Sequence, residues 1–174
     1  MLRTVAELAQ LIETPKRLSA IGKWNKINQK AESGAGIEIS GVIEEGISFR
    51  AQCKPDLPEE SVSLLLITET DARPRAFARI DWRGIPHPNS NKALVGDYWG
   101  RDAGRTHFHD PRLHLHLPLE TLFNTPNVDL PIAEKIKPEP SNFRLLLAES
   151  ATILAITNLT DIPDPPWPAN LSFL

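Results

Sequence analysis

The chain has 174 residues, 41% apolar and 24% charged, a balance that excludes a wholly disordered or fibrous chain and leaves enough length for one hydrophobic core. No apolar run is long enough to cross a bilayer, and the single cysteine, Cys53, excludes an internal disulfide or a cysteine zinc cage. Net charge is −3, in alternating blocks: residues 1–30 and 73–112 are basic, 31–72 and 113–174 acidic. Such blocks can simply pair with one another inside the fold. Cys53 sits in an apolar alternation that points to burial. Met1-Leu2-Arg3-Thr4 lacks the basic and then apolar pattern of a secretion signal, so a single cytoplasmic domain, 1–174, without a membrane partner is expected.

Thr4-Val5-Ala6-Glu7 is a capping box, which predicts a helix beginning at Val5. Val5, Leu8, Leu11 and Ile12 form its apolar stripe, and Pro15 ends it. Residues 16–30 are basic, with Trp24 and Ile27 as apolar anchors, and Gly34-Ala35-Gly36 breaks what precedes it. Ile37, Ile39 and Ile43 against Ile47, Phe49, Ala51 and Cys53 alternate on either side of Glu44-Glu45-Gly46, the pattern of a β-hairpin. After the 55–58 turn, 61–70 reads as a strand buried on both faces and 77–83 as a further strand.

The connection over 84–104 is long, broken by glycine and proline, yet carries Tyr98-Trp99, so order and function are expected of it. Residues 105–119 return to strand. Residues 143–156 place Leu146, Leu147, Ser150, Ala151 and Leu154 on one helical face, so a helix begun by Ser141 is favoured over a pair of strands. The proline-rich tail 161–168 reads as a strap docked through Trp167. Together these give an α+β domain: a mainly antiparallel sheet, a short N-terminal helix, a C-terminal helix and a proline-rich tail.

All five histidines, His87, His107, His109, His114 and His116, lie in one window between Arg79 and Leu119. Each His-x-His pair puts two imidazoles on one side of a strand. Asp110-Pro111-Arg112-Leu113 suits a type I turn. A four-residue loop there would set His109 opposite His114 and His107 opposite His116, with all four rings on one face. That cluster has three meanings. His107, His109, His114 and His116 could ligate a divalent transition metal, with Asp81 or Asp110 as an oxygen ligand, although the spacing matches no specific zinc motif. They could serve acid–base chemistry or anion recognition, since Arg79, Arg83, Arg101 and Arg105 interleave with Trp82, Tyr98 and Trp99 as nucleic-acid surfaces do. Or they could hold the long loop by hydrogen bonds. His87, fixed between Pro86 and Pro88, is presented rigidly whichever holds.

At Arg79-Ile80-Asp81-Trp82-Arg83-Gly84-Ile85-Pro86-His87-Pro88-Asn89, followed by the His-x-His pairs, the chain resembles a small bacterial family carried on prophages and mobile elements that shares an R-I-D-x-x-G-x-P-H-x-N segment and a later H-x-H strand. More distantly the pattern is similar to the Tum E-type toxin proteins of toxin–antitoxin pairs, with a longer insertion between Asn89 and Thr106 and doubled histidine pairs here. The resemblance implies an accessory or toxin–antitoxin-like protein that acts through a macromolecular partner, protein first and nucleic acid second. Its surface would be Arg79, Asp81, Arg83, His87, His107, His109, His114 and His116. A histidine- or metal-dependent phosphodiesterase acting on RNA or DNA is the alternative, and a structural subunit without catalysis the third.

Overall fold

A computed structural model describes residues 4–27, 36–69, 74–124 and 130–168. Helix α1, Val5–Glu13, starts where the capping box requires: the Thr4 amide donates to the Glu7 carboxylate at 2.6 Å, and the Glu7 amide donates to the Thr4 hydroxyl at 3.2 Å. Its Val5, Leu8, Ala9 and Ile12 are buried. The basic segment that follows supplies only two short edge strands, β1 (Ala20–Ile21) and β2 (Asn25–Ile27), and the expected break at Gly34-Ala35 lies outside the described residues. Strands β3 (Gly36–Glu44) and β4 (Ile47–Cys53) form the hairpin, turning at Gly46, whose φ of +73° glycine adopts without strain. Strands β5 (Val62–Thr68) and β6 (Arg75–Trp82) continue the meander.

The sheet ends with β7 (His107–His109) and β8 (Glu134–Lys135), making eight strands in the order β1-β3-β4-β5-β6-β7-β8, with β2 also on β3 and every pair antiparallel. The architecture is α+β. One face carries Ile39, Phe49, Leu64, Leu66, Ile80 and Trp82, which share a hydrophobic cluster with α1 and with α4 (Phe143–Ile153). Cys53 is buried there, and burial pushes its thiol up to about 12. Strand β5 is less enclosed than its sequence suggests: Val62, Leu64 and Leu66 are fully buried, but Ser63 and Leu65 on the other face are half-buried. That face is polar, and strand register lines it up in rows. Glu38, Gln52, Ser63, Asp81 and His107 stand side by side across five strands, and so do Ser40, Arg50, Leu65, Arg79 and His109.

Helix α4 is a helix and not a strand pair, but its N-cap is Asn142, whose side chain accepts from the Leu145 amide at 2.9 Å, one residue after the expected Ser141. The tail straps across the domain as expected. Trp167 Nε1 donates to the Lys54 carbonyl at 2.9 Å, and its ring meets Phe143 edge-on at 5.6 Å.

The 105–119 segment departs from the expected pair of strands. Only His107–His109 is extended; Pro111–His114 is a 3-10 turn, and α3, Leu119–Asn124, follows. The residues that suit a type I turn also suit a helix start. Asp110 accepts from the Arg112 amide at 2.8 Å and Pro111 is already fixed at helical φ, so the chain winds onward and does not reverse.

Residues 84–104 fold back on themselves as a ribbon. The Ala103 amide donates to the His87 carbonyl at 3.0 Å, the Asn89 amide to Arg101 at 3.0 Å and the Gly100 amide to Asn89 at 2.9 Å. At its tip are a single helical turn, α2 (Lys92–Val95), and a 3-10 turn, Gly96–Tyr98. The root is clamped by Asn89, 1% exposed, which donates to the Ala133 carbonyl at 3.1 Å and accepts from the Ala133 amide at 3.0 Å. Asn89→Ala would leave two buried backbone groups without partners. It is expected to lower unfolding free energy by about 2 kcal/mol in urea denaturation, and an unchanged midpoint would show the clamp to be dispensable.

Candidate metal centre

Alternation on two short strands builds the centre. On β6 and β7, Ile80, Trp82 and Phe108 turn to the core, so Arg79, Asp81, His107 and His109 share the polar face. Register sets Asp81 opposite His107 and Arg79 opposite His109. The ribbon then brings His87 over them: its ring centroid lies 4.7 Å from that of His107 and 5.7 Å from that of His109. His107 and His109 are 1% and 2% exposed, and His87 is half-buried at the rim.

Each of the three rings points Nδ1 at a backbone carbonyl, an atom that can only accept. His107 Nδ1 is 3.0 Å from the Gly104 oxygen, His109 Nδ1 2.6 Å from that of Leu130 and His87 Nδ1 3.3 Å from that of Pro88. This fixes the proton on Nδ1 and turns three Nε2 lone pairs inward. The three ligand nitrogens lie within 4.8 Å of one another. His87 Nε2 and His107 Nε2 are 3.2 Å apart. The Asp81 Oδ2 atom is 3.2 Å from His107 Nε2 and 3.7 Å from His109 Nε2. Four-coordinate ligands held about 2.0–2.1 Å from a zinc-sized ion stand about 3.3 Å apart, so the two 3.2 Å contacts of His107 Nε2 match and the wider spacings would have to close around an ion.

Acceptors outnumber donors at this point. Asp81 is held below the usual carboxylate range: burial opposes this, but the Arg79 charge and the Ser63 hydroxyl at 2.6 Å favour the ionised form. Burial, followed by the nearby Arg79 charge, holds His109 well below the ordinary histidine range. The internal cation is Arg79. Its Nε is 2.8 Å from Asp81 Oδ2, and its Nη2 donates to His109 Nε2 at 2.8 Å. His107 Nε2, by contrast, faces only Asp81 Oδ2 and His87 Nε2 among its recorded polar contacts. A cation seated among the three rings would satisfy it, displacing the Arg79 bond to His109; the arginine side chain is 31% exposed and can swing outward.

The structure therefore regroups the residues singled out in the sequence. Arg79, Asp81, His107 and His109 come together as expected, and His87 joins them. His114 and His116 do not, because the 3-10 turn carries them off the sheet face. His114, 0% exposed, has Nδ1 2.8 Å from the Asp110 carbonyl and accepts from the Ile132 amide at 2.9 Å, so it pins two segments together. His116 is exposed, with Nε2 3.0 Å from the Leu94 carbonyl. Arg83 is also structural. It pairs with Glu139 at 3.2 Å, donates to the Ser141 carbonyl at 3.1 Å and lies over the Trp82 ring. Asp110 is held by the Arg112 guanidinium at 2.6 Å and is not a ligand. Sequence reasoning missed Ser63, although a serine opposite Asp81 in an otherwise apolar strand was the available sign.

The fold and the centre define an α+β protein with a three-histidine, one-carboxylate cluster on the polar face of its sheet. Comparison with protein-family models, curated proteins and solved structures finds no match. Among the described residues no helix is long and apolar enough to cross a membrane.

Proposed function

We propose that His87, His107 and His109 hold one divalent transition metal, leaving a further position for water beside Asp81, and that the centre hydrolyses phosphodiesters. One observation supports this above the others: three imidazoles whose Nδ1 atoms face backbone carbonyls gather their ligand nitrogens within 4.8 Å of one another, two of them beside the half-buried Asp81 carboxylate. Carbonyl-oriented imidazoles are how proteins prepare histidine ligands. Zinc is the best match to three neutral nitrogens and one oxygen. A cation there supplies Lewis-acid polarisation of a phosphoryl oxygen and acidifies water. In the reaction the water oxygen adds to phosphorus, the P–O ester bond breaks and the water proton passes to the departing oxygen. Arg79, which pairs with Asp81, would be the cation available to the developing phosphoryl charge if an ion took its place on His109.

The R-I-D-x-x-G-x-P-H-x-N resemblance supports the setting: a toxin–antitoxin-like or accessory protein of a bacterial mobile element, cytoplasmic, with RNA or DNA as the phosphodiester and a protein partner to restrain it. The test is hydrolysis of bis(p-nitrophenyl) phosphate by chelator-stripped protein. Activity should be absent, return with zinc or another divalent transition ion, and disappear again in His109→Ala. Full activity in excess chelator would overturn metal dependence.

A further inference from the structure

The ribbon that delivers His87 carries two aromatic rings with no part in the core. Trp99 is 55% exposed, and Tyr98 beside it is half-buried. Each has a cation stacked on it: Lys92 Nζ lies 5.0 Å from the Trp99 ring centre and the Arg101 guanidinium 4.5 Å from that of Tyr98. An exposed indole on an ordered tip offers a flat apolar face to a partner. The tip is ordered by the Asn89–Arg101 and Asn89–Gly100 bonds and by the buried Val95. Arg101 pairs by backbone with Asn89 across the ribbon, and Asn89 stands two residues from His87 on the same strand of it.

Below the tip, Pro86 and Asp102 of the ribbon meet Arg105, Lys135 and Lys137 around a cleft of about 410 Å³. The acids in its lining already have partners. Lys135 holds Asp102 at 3.2 Å and Arg83 holds Glu139 at 3.2 Å. Of the arginine–aromatic mixture visible in the sequence, Trp82 is buried, Arg83 and Arg105 are ion-paired and Arg79 belongs to the metal centre. On the tip, Lys92, Trp99 and Arg101 are exposed and Tyr98 is half-buried beside them.

We propose that this tip is a stacking platform for single-stranded nucleic acid, with bases lying on Trp99 and Tyr98 and phosphates running past Arg101 and Lys92 toward His87. Rings stack on any base, and duplexes keep their base faces covered, so the platform selects single strands. It rests on the metal-hydrolase reading for the reaction but not for binding.

The test is fluorescence anisotropy of a short labelled single strand of mixed sequence, as RNA and as DNA, with the full chain in EDTA, against the duplex of the same sequence. At least one of the two single strands should bind more tightly than the duplex, and its affinity should fall as salt rises. Trp99→Ala should weaken it about tenfold, within the range of base–aromatic stacking, while Trp99→Phe retains most of it. No binding, a preference for the duplex, or unchanged affinity in Trp99→Ala overturns the platform. Zinc titration of the same protein after EDTA has been removed separates the two ideas. Strand binding without zinc binding removes the hydrolase and keeps the platform, and zinc binding with a silent Trp99→Ala does the reverse.

Discussion

His87→Ala is expected to weaken binding of a divalent transition metal by about a hundredfold or more and to remove metal-dependent hydrolysis, with little change in the melting temperature of the chelated protein. The size follows from ligand loss: groups that merely orient a ligand are worth 10–100-fold in affinity, and His87 is itself a ligand. The small stability effect follows from its place. His87 is half-buried on the ribbon, its Nδ1 partner is 3.3 Å away, and the ribbon root is held independently by Asn89. Arg79→Ala is the companion variant. In chelator it should destabilise, by about 2 kcal/mol, because Asp81 loses its cation and His109 its donor. Saturating zinc should stabilise it at least as much as it stabilises the wild type, by binding the folded form alone. If the three rings were only a hydrogen-bonded anchor for the loop, Arg79→Ala would be destabilised equally with and without zinc. Thermal melts of both variants with zinc and with EDTA decide between these outcomes.

The second large effect is on stability against pH and belongs to His114. Burial, with a smaller contribution from His116, pushes its imidazolium down to about 4, although the bond to the Asp110 carbonyl opposes this. In the unfolded chain the group titrates near 6.5. Above about 6.5 it is neutral in both states and its contribution is complete. As pH falls from 6.5 to 4 the unfolded chain takes up a proton that the folded chain refuses, which destabilises by up to about 3 kcal/mol. The structural reason is plain: Nε2 accepts from the Ile132 amide at 2.9 Å and cannot do so when protonated. His114→Gln should be less stable than wild type at pH 7.5 and should lose part of the acid sensitivity. Urea unfolding at pH 7.5 and 4.5 measures both. Equal pH dependence in the two proteins would show that His114 does not gate acid unfolding.

Local chemistry made much of this fold legible. The Thr4–Glu7 capping box, the turn at Gly46 and the alternation in β3 and β4 are each settled by neighbours in sequence, and they were readable. So was the shared side of His107 and His109, because period-two alternation needs no tertiary information. The grouping of the rest was not, for two physical reasons. Asp110-Pro111 is equally good as a reversing turn and as a helix N-terminus, and whether the chain reverses depends on the pinning of His114 by Ile132, eighteen residues away in sequence. The arrival of His87 depends on an Asn89 clamp to Ala133, forty-four residues away. The sequence therefore marked the window and the shared side of two of the three rings, while the approach of His87, named in the candidate surface, rests on a contact no local pattern encodes.

The most direct measurement is calorimetric titration of chelator-stripped, tag-free protein with zinc, read beside its elemental content as purified. One ion per chain, lost in both His87→Ala and His107→Ala, is the expected result. A wild-type chain that takes up no divalent transition metal, or a His87→Ala chain that takes up as much as wild type, would contradict it.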